Sequence, residues 1–319
     1  MNTYDFIGKV TLANVQSIIT GAGFNSADYT YAKRVDNDGY MVEGTPPMST
    51  TLLRNAAKAL HLKVEISSAS ARGVVAGDLA GSPYQVSFTM SEATVQDLQG
   101  YSLVVFKGVQ GPNATPGSAV PLAWIVTKTF GLNTDIKWEE DYSAYTSTAQ
   151  IVPGGTITAS NPVSIDIGET YNVDASGTGP VTEAGQSNAI TVQNTSTTQF
   201  VCGLAQTPEG STVANAICAF TLHGQMADVM IPEEKIFMMF VSATVDTGKV
   251  FEKSIGPGLL VDLTGVEKRS GIAFDINGGW SWGGFSWAKD YKASSDLVPL
   301  LIDNSANFKA SRPSLSLAA

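Results

Sequence analysis

The chain has 319 residues, 43% of them hydrophobic and only 15% charged, with a net charge of −10. A chain of that length buries about three quarters of its unfolded surface without disulfide or metal staples. The acidity, with no basic run longer than Lys33-Arg34 or Lys268-Arg269, excludes nucleic-acid binding by counterion release and disfavours anionic membranes, though not neutral ones.

The chain opens on Met1-Asn2-Thr3-Tyr4-Asp5-Phe6, with no basic region followed by an apolar one. No stretch approaches the ~18 apolar residues of a membrane span. The location is left open by the sequence: the cytoplasm, release by a non-classical route, or a mature form are the expectations.

The first 98 residues read as a small α+β module. Thr11 caps a helix carrying Leu12, Val15, Ile18 and Ile19, and Gly21 stops it. Asp36-Asn37-Asp38-Gly39 is a turn, Pro46-Pro47 closes that region, and Ser49 caps a second helix with Leu52, Leu53, Ala56 and Leu60 on one face. Leu62, Val64 and Ile66 then alternate with polar residues as in a half-buried strand, Tyr84 to Met90 reads as another, and Ser91 to Gln99 as a short helix.

Residues 99–319 read as a β-rich body. Strands are expected at Leu103 to Phe106, Leu122 to Thr127, Asp135 to Tyr145, Lys235 to Thr244, Lys249 to Ser254, Leu259 to Leu263 and Gly271 to Ile276, each bounded by turn residues. No window there carries helical periodicity with caps. The fold class is mainly β, with a β-sandwich or elongated antiparallel sheet behind the small α+β module.

Two stretches carry functional candidates. From Thr156 to Cys202 a period-2 pattern places Ile157, Val163, Ile165, Ile167, Tyr171 and Val173 opposite small polar residues, followed by a turn and a second strand with Ile190 and Val192. One reading is a long hairpin with one face on the core. The other is an insertion hairpin, since a β-barrel pore needs strands of this length and alternation. In that respect the stretch resembles the Ser/Thr-rich insertion hairpins of aerolysin-like pore-forming proteins, and the resemblance implies a membrane-active homo-oligomer. It covers residues 156–202 alone. Asn161, Pro162 and Glu169 depart from the pattern, because proline breaks a ladder and a lipid-facing carboxylate is costly.

The second stretch runs from Asp275 through Asn277 to Trp280, Trp282, Phe285 and Trp287. Gly283-Gly284 lies where a bulge would bring the four rings to one side. Such rings suit stacking on sugars or a membrane interface, or closing one end of a core.

Familiar chemistries are missing from the sequence. His61 and His223 lie in no nucleophile-elbow or papain-like context. Glu139-Glu140 and Glu233-Glu234 read as solvated surface charge, each pair offering one carboxylate to any one face. Cys202 and Cys218 read as buried thiols, and no metal or cofactor is expected. The leading expectation is a non-catalytic protein acting at a glycan or lipid surface, with pore formation as its specific form. A lectin-like protein using the tryptophan cluster, a self-assembling β protein and an enzyme without a familiar motif stay open as alternatives.

Overall fold

The structure, a computed structural model, describes residues 2–7, 10–33, 39–44, 50–62, 64–68, 84–111, 119–264 and 266–303. The Asp36-Asn37-Asp38 turn, Pro46-Pro47 and the Ser49 cap lie outside them. The chain is mainly β, as its composition predicts. It divides into two compact units, residues 1–81 with 166–168, and residues 82–165 with 169–319.

The first unit has strands β1 (Asn2–Ile7), β2 (Tyr29–Lys33), β3 (Tyr40–Gly44) and β4 (Glu65–Ser68), in the order β2-β3-β1-β4. Helix α1 (Leu12–Gly21) begins at Thr11, whose hydroxyl accepts the Asn14 N–H while Asn14 reaches back to the Thr11 N–H. Val15, Ile18 and Ile19 are buried as the spacing requires, and Leu12 is exposed. Helix α2 (Thr50–Ala59) turns a different face inward from the one expected. Leu53, Ala56 and Ala57 are buried, whereas Leu52 and Leu60 stand in water.

The second unit begins with β5 (Tyr84–Met90) and α3 (Glu92–Asp97), so both belong with the β body rather than with an N-terminal module ending near residue 98. There follow β6 (Ser102–Gln110), β7 (Ala119–Pro121), β8 (Ile125–Thr127) and β9 (Asn133–Ser147). The middle of the chain supplies β10 (Ser160–Ile165), β11 (Thr170–Val173), β12 (Val181–Thr182), β13 (Ile190–Asn194), β14 (Phe200–Pro208), β15 (Asn215–Ala216) and β16 (Cys218–Leu222). The last stretch adds β17 (Ala227–Val241), β18 (Gly258–Asp262), β19 (Lys268–Asp275), β20 (Gly279–Ser281), β21 (Ala288–Tyr291), α4 (Val298–Leu301) and β22 (Ile302–Asp303). Lys249 to Ser254 forms isolated bridges to Leu122, Thr156 and Asp296 rather than the expected strand.

One sheet runs β20-β19-β5-β9-β14-β16-β7, and β10 and β15 add to β9 and β14. The other runs β12-β11-β13-β17-β18-β21, with β6 on β17 and β8 and β22 on β6. The sheets face each other through aromatic contacts: Phe240 of β17 lies against Phe88 of β5, Phe274 of β19 and Trp280 of β20. The opposite face of β6 and β17, with Val104, Phe106, Phe237 and Met239, is covered by Leu297, Leu301 and Phe251. With both faces covered, β6 reads as an unbroken buried run rather than an alternation.

Candidate functional site

A constellation of polar side chains in the second unit lies on the outer face of the β19-β5-β9 portion of its sheet. In β5, Val86 and Phe88 point inward and are buried. Two-residue alternation therefore turns Ser87 and Thr89 outward. Across the antiparallel ladder Ser87 stands opposite Asp135, and Thr89 opposite Asn133. A row of small polar side chains results.

On the other side β5 runs parallel to β19, and the register slips there. Val86 pairs with Arg269 and Phe88 with Ile272, so Ser270 and Gly271 together oppose Ser87. Gly271 has φ +76°, and a Cβ added there would meet nothing within 4 Å. The left-handed backbone, rather than crowding, is what asks for glycine. The bulge opens a groove of about 420 Å³ with Ser87, Thr89, Asn133, Asp135 and Ser270 on its walls. The Ser87 hydroxyl donates to Asp135 Oδ1 at 2.8 Å and accepts from Gln85 Nε2 at 2.8 Å, which fixes the carboxylate's orientation.

The aromatic loop follows β20. Ser281 pairs with Ala273, so the chain leaving β20 runs back toward Gly271. Gly283 and Gly284 both take left-handed φ, and the Trp282 indole N–H closes the loop on the Phe285 carbonyl at 2.9 Å. Phe285 stacks on Trp287 with centroids 5.9 Å apart and planes 14° off parallel. Arg269, the residue before the bulge, holds its guanidinium 5.0 Å from the Trp287 ring centre. Trp287 is half-buried beneath these partners, and Phe285 is 60% exposed.

The expected four-ring face is thus only partly assembled. Trp282, Phe285 and Trp287 gather in the loop, but Trp280 is a core residue, 4.7 Å from Phe274 and 5.3 Å from Phe88 between ring centres. It sits on a strand, where alternation sends it inward. Asp275 and Asn277 lie at the other end of β20. The Asp275 carboxylate accepts from Gly278 N, Asn277 N and the Thr94 hydroxyl, which holds its pKa below the usual range, the Gly278 bond contributing most. These two residues shape a turn.

The Thr156–Cys202 stretch does not form one hairpin. Strand β10 pairs with β9 in one sheet, whereas β11 lies parallel to β13 in the other. Ile157, Ile165, Tyr171, Val173, Ile190 and Val192 are buried, and Val163 and Ile167 are half-buried. The alternation is the core patterning of two sheets. No described helix is long and apolar enough to cross a membrane.

Cys202 and Cys218 are free, buried thiols on neighbouring strands. No group of metal-ligating side chains occurs among the described residues. Comparison with family models, curated proteins and solved structures returns no match.

The groove escaped the sequence reading because its members come from three strands distant in sequence. The polar parity of Ser87 and Thr89 in Tyr84–Met90 is the signal that pointed to an open face there.

Proposed function

We propose that this chain is a non-catalytic glycan-binding protein. The observation that carries the reading is a groove walled by hydroxyls, an amide and a carboxylate, on a unit that also turns the Phe285 ring to water in the loop after β20. A sugar presents hydroxyls on its edges and C–H groups on its faces. The edges suit Asp135, Asn133 and the Ser87 and Ser270 hydroxyls, and the face suits Phe285. The stack of Phe285 on Trp287, whose ring Arg269 holds in turn, keeps Phe285 in place before a ligand arrives, which reduces the ordering cost of binding.

Titration calorimetry against a panel of neutral oligosaccharides, with Phe285→Ala and Asp135→Asn beside the native chain, tests this. Each substitution is expected to weaken binding at least about tenfold while leaving the melting temperature unchanged, since an exposed ring contributes to an interface and little to the core. Variants that bind as the native chain does would overturn the site. Binding to neutral phospholipid vesicles, with none to any sugar, would replace the glycan with a lipid surface.

A further inference from the structure

Lys107 is the most unusual side chain of the second unit. It stands on β6 in the middle of the interior, and its side chain is 0% exposed. Its ammonium is walled by Trp138 at 5.0 Å, Tyr142 at 5.4 Å and Trp124 at 5.9 Å from the ring centres. Its acidic partner is Glu234, with Nζ 3.1 Å from Oε2 and 3.4 Å from Oε1.

An irregularity in the ladder delivers that carboxylate. Lys107 pairs with Ile236 and Val109 with Pro232, so three residues of β17, Glu233 to Lys235, stand against Gly108 alone. The bulge turns Glu234 inward from a run that reads as solvated charge in the sequence. Gly108 leaves it room, because a Cβ there would lie 3.0 Å from Glu233 Oε2. Two donors then fix the carboxyl group: the Trp138 indole N–H on Oε2 at 2.7 Å and the Tyr142 hydroxyl on Oε1 at 2.8 Å.

We propose that Lys107 and Glu234 condense after folding into an intramolecular amide that ties β6 to β17. The atoms balance without any co-reactant. One ammonium proton passes to Oε1, giving a neutral amine and a carboxylic acid, a transfer that burial favours by lowering the lysine pKa. Nζ then attacks Cδ, with the developing charge on Oε2 held by the Trp138 N–H. A second proton from Nζ reaches Oε1, the Cδ–Oε1 bond breaks, and water leaves. The nitrogen keeps its third hydrogen as the amide N–H.

Confinement drives the step. Two groups held in contact react as though at very high concentration, and the product replaces two desolvated charges with one neutral group. Glu234 keeps 13% of its side chain exposed, so the water is released at the solvent edge.

The test is the mass of the intact, purified full-length chain and of its proteolytic fragments. The expected result is a loss of 18 Da with the Lys107 and Glu234 peptides joined, absent in Lys107→Arg. Glu234→Gln is expected to form the same joined peptide by losing ammonia. Separate Lys107 and Glu234 peptides in the native chain, or an 18 Da loss located elsewhere, would overturn the proposal. The decisive readout uses native protein, so poor folding of a variant does not obscure it.

Discussion

Asp228 is a carboxylate largely withdrawn from water. It leans from β17 to accept a hydrogen bond from Cys202 Sγ at 3.3 Å, between the two sheets. Burial pushes its pKa up to about 6, opposed in smaller measure by the Cys202 contact and by His223. A raised carboxyl pKa means that the folded state holds its proton more tightly than the unfolded one. Its stabilising contribution is complete below about pH 4 and is lost as pH rises through 6. Asp228→Asn is therefore expected to be the more stable protein at pH 7, by roughly 2–3 kcal/mol, with the gap closing below pH 4. Chemical denaturation at both pH values measures it, and equal stability at pH 7 would refute the buried-acid account. At the same scale, the Asp275 carboxylate, occupied by backbone donors, and Trp280, enclosed by rings, explain why two residues expected in a contact surface are structural.

Among the elements, the bulge in β19 and the split of the 156–202 stretch decide most. Gly271 supplies a left-handed backbone in open space, so Gly271→Ala is expected to cost about 1 kcal/mol through conformation alone. It should also weaken glycan binding, because Ser270 and Gly271 leave the ladder at the groove wall. A melt and a titration on one variant examine both, and unchanged binding would remove the bulge from the site. Ile165 is 1% exposed on β10, covered by the body of its own unit. Ile165→Asp would bury an unpaired charge, with an expected loss of at least about 3 kcal/mol. An insertion hairpin predicts the reverse: a fold of native stability whose membrane activity alone fails.

Over the whole molecule, charge selects among ligands. With a net charge of −10 and the Asp135 carboxylate on the groove wall, sulfated and carboxylated glycans meet repulsion at long and short range. Neutral glycans are expected to bind with affinity nearly independent of salt between about 50 and 200 mM, since no ion pair is screened. A glycan array repeated at the two salt concentrations checks this, and preference for polyanionic sugars would contradict it.

Composition and period were enough for the broad outline. Low charge, abundant hydroxyls and turn residues specified a β-rich body, and the Thr11 cap with Val15, Ile18 and Ile19 specified the first helix, because such preferences are local. The two-residue period also separated Ile165 and Val173 from their polar neighbours. Which sheet each strand would join was invisible, since pairing partners lie tens of residues apart and alternation is the same in either. Tertiary structure alone set Ser87 against Asp135 across the β5–β9 ladder. It alone turned Glu234 inward onto Lys107, because a bulge is an event between two strands and leaves no period in either one.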